Sequence, residues 1–216
     1  MMTVNTGSRI VRVIAALSLM LAFSSCAGPV ALGSKSPSYL IVDSLLAASG
    51  ASGGSTFAGS LNADVLTFVQ VTINGVSQRV PTVFNDNGQV RLRLGLKNPG
   101  PASSPTAATV INEITVTRYH VQWRRSDKRE REGIDIPYSF DGGMTGTINT
   151  NGAVLTFELV RHSMKEEPPL SNLISGGGAG EISTIAEITF YGRDQHGNEV
   201  SVTGMISVNF GDFGDP

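Results

Sequence analysis

Val90, Leu92, Leu94 and Leu96 alternate with Arg91, Arg93, Gly95 and Lys97. Only an extended strand turns a period of two into one apolar face and one wet face. The same alternation recurs where Ala153, Leu155, Phe157 and Leu159 interleave with Val154, Thr156, Glu158 and Val160. Near the C-terminus, Val200, Val202, Gly204, Ile206, Val208 and Phe210 interleave with Ser201, Thr203, Met205, Ser207 and Asn209, and Ile188 and Phe190 carry the pattern in the preceding stretch. Residues 39–46 and 65–73 read as further strands with less tidy alternation. Strands of this kind are stable only when their apolar faces are stacked on one another, so the chain is constrained to packed sheets.

One stretch changes phase. Ile114 and Val116 share a parity, whereas Tyr119, Val121 and Trp123 take the other. A single extra residue near Thr117–Arg118 produces this shift, as a β-bulge does; two strands meeting there would do the same. Trp123 falls on the apolar parity and is expected in the core. Asn74-Gly75 between two short apolar runs is a hairpin signal. Asn85-Asp86-Asn87-Gly88, Asp141-Gly142-Gly143 and Asp194-Gln195-His196-Gly197-Asn198 read as turns, because Asp, Asn and Gly accept left-handed backbone and cap their own amides. Residues 49–60, 98–109 and 171–183 are rich in Gly, Ser, Ala, Pro and Thr and read as loops. No amphipathic helix is expected outside the N-terminal leader, apart from a helical turn near residues 169–174. The expected fold is all-β: an antiparallel sandwich of seven to nine strands over residues 38–216, either as one unit or as two small units split near residues 99–105.

The N-terminus has a different logic. Arg9 and Arg12 precede an apolar run of eleven residues, 13–23, interrupted only by Ser18 and followed by Ser24-Ser25-Cys26-Ala27-Gly28. A spanning helix needs about 20 apolar residues, so the run has signal-peptide length. Phe23-Ser24-Ser25-Cys26 resembles the lipobox of bacterial lipoproteins, departing from it at Phe23, where that family usually has Leu. The resemblance implies a diacylglycerol on the Cys26 sulfur, cleavage before Cys26 and an acylated (palmitate-type) amino group. Ala27 after the cysteine implies the outer membrane where the host has one. Residues 1–25 are then the leader, 26–37 a small-residue tether and 38–216 the β domain. Cys26 is the only cysteine, so its acylation leaves no thiol for a disulfide and the fold must rest on its core.

A second resemblance lies in the closing hairpin, residues 188–208. Its Asp194-Gln195-His196-Gly197-Asn198 turn resembles the Asp-x-x-Gly-Asn turn in the last hairpin of bacterial immunoglobulin-like domains. The antibody cysteine pair is absent, so the implied kinship is with the disulfide-free branch. Beyond that hairpin the mature chain resembles uncharacterised bacterial secreted lipoproteins, a likeness that implies no activity.

Chemistry-bearing patterns are sparse. His120, His162 and His196 are too far apart in sequence for a zinc motif. Asp194, Asn198 and Glu199 offer oxygen ligands of the kind calcium takes, without EF-hand spacing, and are read as turn formers. The stretch Arg124-Arg125-Ser126-Asp127-Lys128-Arg129-Glu130-Arg131-Glu132 mixes five bases with three acids, as a solvated hairpin tip does; with Tyr119 and Trp123 before it, a contact surface is the alternative. There is no Gly-x-Ser-x-Gly elbow, and Ser175-Gly176-Gly177-Gly178-Ala179-Gly180 lacks the Lys-Ser/Thr of a phosphate loop. Loss of the leader removes Arg9 and Arg12 and takes the net charge from −2 to −4, which disfavours nucleic acid as a partner. The sequence thus assigns no catalytic residue, cofactor or metal ligand, and one modification site, lipidation at Cys26. It points to a lipid-anchored envelope module that is structural or binds an envelope protein or glycan. The alternatives are an envelope hydrolase with a site built from distant loops, and a carbohydrate- or calcium-binding module.

Overall fold

The computed structural model describes residues 34–174 and 180–213. The leader, Cys26, most of the tether and residues 175–179 lie outside the described residues. Ten strands are present among those described: β1 (Ser38–Ala48), β2 (Ser60–Asp64), β3 (Thr67–Ile73), β4 (Val76–Thr82), β5 (Asp86–Leu96), β6 (Ile114–Arg124), β7 (Phe140–Ile148), β8 (Ala153–Val160), β9 (Glu181–Asp194) and β10 (Glu199–Gly211). A single helical turn, α1 (His162–Lys165), follows β8, and a 3-10 turn at Leu170–Leu173 falls where the sequence places one. The strands form a three-stranded sheet in the order β1-β5-β8, a five-stranded sheet in the order β2-β10-β9-β6-β7, and a separate β3-β4 ribbon.

The period-two residues behave as their pattern requires. Val90 and Leu92 are fully buried while Arg91 and Arg93 are exposed. Leu40 and Leu92 from the smaller sheet share one core with Trp123, Ile188, Phe190 and Phe210 from the larger. Trp123 is fully buried, its ring edge-on to Phe210 with centroids 5.2 Å apart. The phase change is a bulge at Thr117: pairing with both β7 and β9 steps from Val116 to Arg118. β6 is therefore one strand, and the bulge turns Tyr119, Val121 and Trp123 inward. The Asn74-Gly75 hairpin forms with φ of 53° and 79°, the positive values that a tight two-residue turn needs.

Three expectations require correction. The sheets are not wholly antiparallel: β2 runs parallel to β10, with Ser60 opposite Ser207 and Asp64 opposite Gly211. A long connection carries the chain from β1 in one sheet to β2 in the other, so no hairpin dictates its direction. Second, Asp86, Asn87 and Gly88 are not a turn but the first residues of β5, paired with β8. Third, Asp141, Gly142 and Gly143 lie inside β7. Gly88 and Gly142 make room for a ring. A methyl on Gly88 would lie 2.4 Å from Phe157 Cζ, and one on Gly142 would lie 2.1 Å from Tyr119 Cζ. In both cases the ring belongs to the directly opposite residue of the neighbouring strand, and Tyr39 lies over Gly95 in the same way. Counting these glycines as turns, and placing 60 in a loop, hid β7 and β2; with them the strands number ten rather than seven to nine.

Candidate functional site

The most unusual chemistry lies at the start of β5. Asp86 opens the strand with its side chain turned inward and fully buried. The chain just before it is fixed by Asn85, whose Oδ1 accepts the His162 backbone N–H at 2.7 Å and lies 2.9 Å from His162 Nδ1. That contact seats α1, a single turn held to the core through Met164. Its last residue, Lys165, is also fully buried, and Nζ lies 2.8 Å from Asp86 Oδ2. The other carboxylate oxygen, Oδ1, accepts the Gly50 backbone N–H at 2.8 Å from the loop after β1. A methyl at Gly50 would fall 2.0 Å from the Asn85 carbonyl oxygen, so glycine is what permits this approach.

The Lys165–Asp86 contact is short, and neither Nζ nor Oδ2 has any other partner. A lysine ammonium carries three donors, and burying such a group unsatisfied costs several kcal/mol in typical proteins. Burial pushes the Asp86 carboxyl above its ordinary range; the Lys165 charge and the Gly50 N–H oppose this, and the nearby Asp64 charge adds to it. Asp64 ends β2 and is itself buried, accepting from Thr67 Oγ1 at 2.8 Å and from the Phe213 N–H at 3.2 Å. The cluster thus draws on β2, β5, α1 and the β1–β2 connection. It is closed to solvent, so its chemistry is internal to the chain.

The residues weighed from sequence end up dispersed. His120 points away from the core, its Nδ1 3.4 Å from Asp141 Oδ1; His162 is engaged with Asn85; His196 sits in the β9–β10 turn. Among the described residues no three metal-type side chains converge. Asp194 is a turn former: Oδ1 accepts the backbone N–H groups of His196 and Asn198, each at 2.9 Å, and Oδ2 accepts Asn198 Nδ2 at 2.9 Å. Burial alone would raise its carboxyl, but the bonds from Asn198, Ser36 and His196 outweigh that and hold it below the ordinary carboxylate range. The charged stretch after β6 is tied up in its own ion pairs, with Asp127 bridging Arg125 at 2.9 Å and Arg129 at 2.8 Å. Arg124 joins Glu130 at 2.9 Å and Glu187 at 3.3 Å.

Comparison with protein-family models, with curated proteins and with solved structures returns no match.

Sequence reasoning missed both members of the buried pair. Asp86 sits in an Asn-Asp-Asn-Gly string that is a turn signature in most contexts. Lys165 precedes Glu166-Glu167 and looks like one more surface charge. Nothing local marks either as buried, because the contact joins β5 to α1 across a long stretch of sequence.

A second feature is the β3-β4 ribbon, hydrogen-bonded to neither larger sheet. Opposite residues share a face, so Val69 with Val80, Val71 with Gln78 and Ile73 with Val76 line one side. Val71, Ile73 and Val76 are 39%, 46% and 59% exposed. On the other side Arg79 lies over the Phe68 ring, 5.0 Å from its centroid.

Proposed function

We propose that the protein is a lipid-anchored module of the bacterial cell envelope, held by acyl chains on Cys26, whose immunoglobulin-like sandwich presents the β3-β4 ribbon to an envelope protein. The anchor rests on the leader and its lipobox-like tetrad. Two sheets sharing one core, together with the Asp194-centred turn of the last hairpin, support the immunoglobulin-like reading. The observation that carries the binding role is the exposed aliphatic row Val71, Ile73 and Val76 on a ribbon paired with neither larger sheet. An isolated two-stranded hairpin is marginal in water and gains from a covering surface. Aliphatic side chains favour an apolar protein surface over a sugar, which calls for polar groups and aromatic platforms. The role is mechanical and recognitive rather than catalytic.

A photoreactive residue at position 76, in the full chain and in the native cells, tests this. A discrete protein adduct is expected there and not from position 205, an exposed site on β10. Equal labelling from both positions, or none from position 76, overturns the reading.

A further inference from the structure

We propose that Lys165 and Asp86 join to form an intramolecular amide, a covalent cross-link between α1 and the start of β5. The claim goes beyond the envelope reading and is independent of the anchor. Three observations carry it. Both side chains are fully buried, with Nζ 2.8 Å from Oδ2. Neither atom has any partner beyond this contact, so the amine and the carboxyl face only each other. The Gly50 N–H holds the other oxygen at 2.8 Å.

Each part has a chemical use. In a site closed to solvent, an ammonium and a carboxylate lose their solvation, and the reaction begins with one proton passing from Nζ to the carboxylate, leaving an amine and a carboxylic acid. A desolvated lysine is a nucleophile. Its Nζ lone pair adds to Asp86 Cγ, and the electron pair displaced from the carbonyl settles on Oδ1, where the Gly50 N–H stabilises it as an oxyanion donor does. Collapse expels Oδ2 as water, carrying its own proton and one from nitrogen. One C–N bond forms and one C–O bond breaks, with no oxidant, reductant or co-reactant. Holding the partners in contact removes the entropic barrier that an intermolecular amide formation would face. Exclusion of solvent disfavours the reverse hydrolysis. The product also replaces a buried ion pair by a neutral amide.

Tryptic mapping of the purified full chain tests the proposal. Amidation blocks cleavage after Lys165, so the expected species is a branched peptide joining residues 80–91 to 162–193, lighter than the sum of its two arms by one water. Lys165→Arg, which keeps the charge without a nucleophilic amine, is expected to lack it. Linear peptides 80–91 and 162–165 in place of the branched one, from folded wild-type protein, overturn the cross-link.

Discussion

Gly88→Ala adds one methyl to a strand position and is expected to destabilise the protein by about 1–3 kcal/mol, the range for forcing an extra carbon into a packed core. The new Cβ would lie 2.4, 2.7 and 2.8 Å from Phe157 Cζ, Cε2 and Cε1. The ring has nowhere to go, because Tyr119 packs on it at 4.9 Å between centroids and Phe190 at 5.4 Å. Gly143→Ala in β7 is the matched control, since its Cβ meets nothing within 4 Å. There the alanine only restricts the unfolded chain, so no loss, or a gain of about 0.4–1 kcal/mol, is expected. Urea titrations at constant m-value read both, and the corresponding melting shift is roughly 2–4 °C per kcal/mol for a chain of this size. In a Phe157→Ala background the space opposite residue 88 is empty, so Gly88→Ala should become neutral or favourable, a coupling of at least about 1 kcal/mol. If Gly88→Ala and Gly143→Ala shift the midpoint equally, or the two changes at 88 and 157 add, the reading of glycine as a ring seat is wrong.

Other expectations follow from the same packing. Trp123→Ala should cost about 3–5 kcal/mol, as its ring is fully buried against Phe210; a change below about 0.5 kcal/mol in denaturant titration would place it on the surface. Gly50→Ala should cost at least about 1–3 kcal/mol, because its methyl would meet the Asn85 carbonyl; an unchanged midpoint would mean that the loop shifts freely. The folded-state pKa of Asp194 lies below its unfolded value, about 3.9. Its contribution is therefore fully present above that value and is lost as pH falls through the folded pKa. Asp194→Asn should flatten that acid-side fall in a melting-temperature profile, and superimposable profiles would contradict the assignment.

The strand pattern was legible wherever one face of a strand is wet. Val90–Leu96, the Val200–Phe210 alternation and the phase slip at Thr117 each encode a local rule, and period two needs no knowledge of the partner strand. Glycine was the blind spot. Gly88 and Gly142 carry the same local signal as Gly75, yet Gly75 makes a turn with positive φ whereas the others seat Phe157 and Tyr119 across a strand pair. That difference is set by the ring on the neighbouring strand, which no window of sequence contains. Lys165 and Asp86 were illegible for the same reason: they lie 79 positions apart, and only the closed fold puts one on the other. Cys26 is the reverse case, a proposed site that rests entirely on local order.

Intact-mass spectrometry of the protein purified from its native cells tests the central claim most directly. A chain beginning at Cys26 and heavier than its residues by a diacylglycerol and an acyl group is the expected species. A full-length chain starting at Met1, or a mature chain with a free Cys26 thiol, would contradict the anchor and the envelope role built on it.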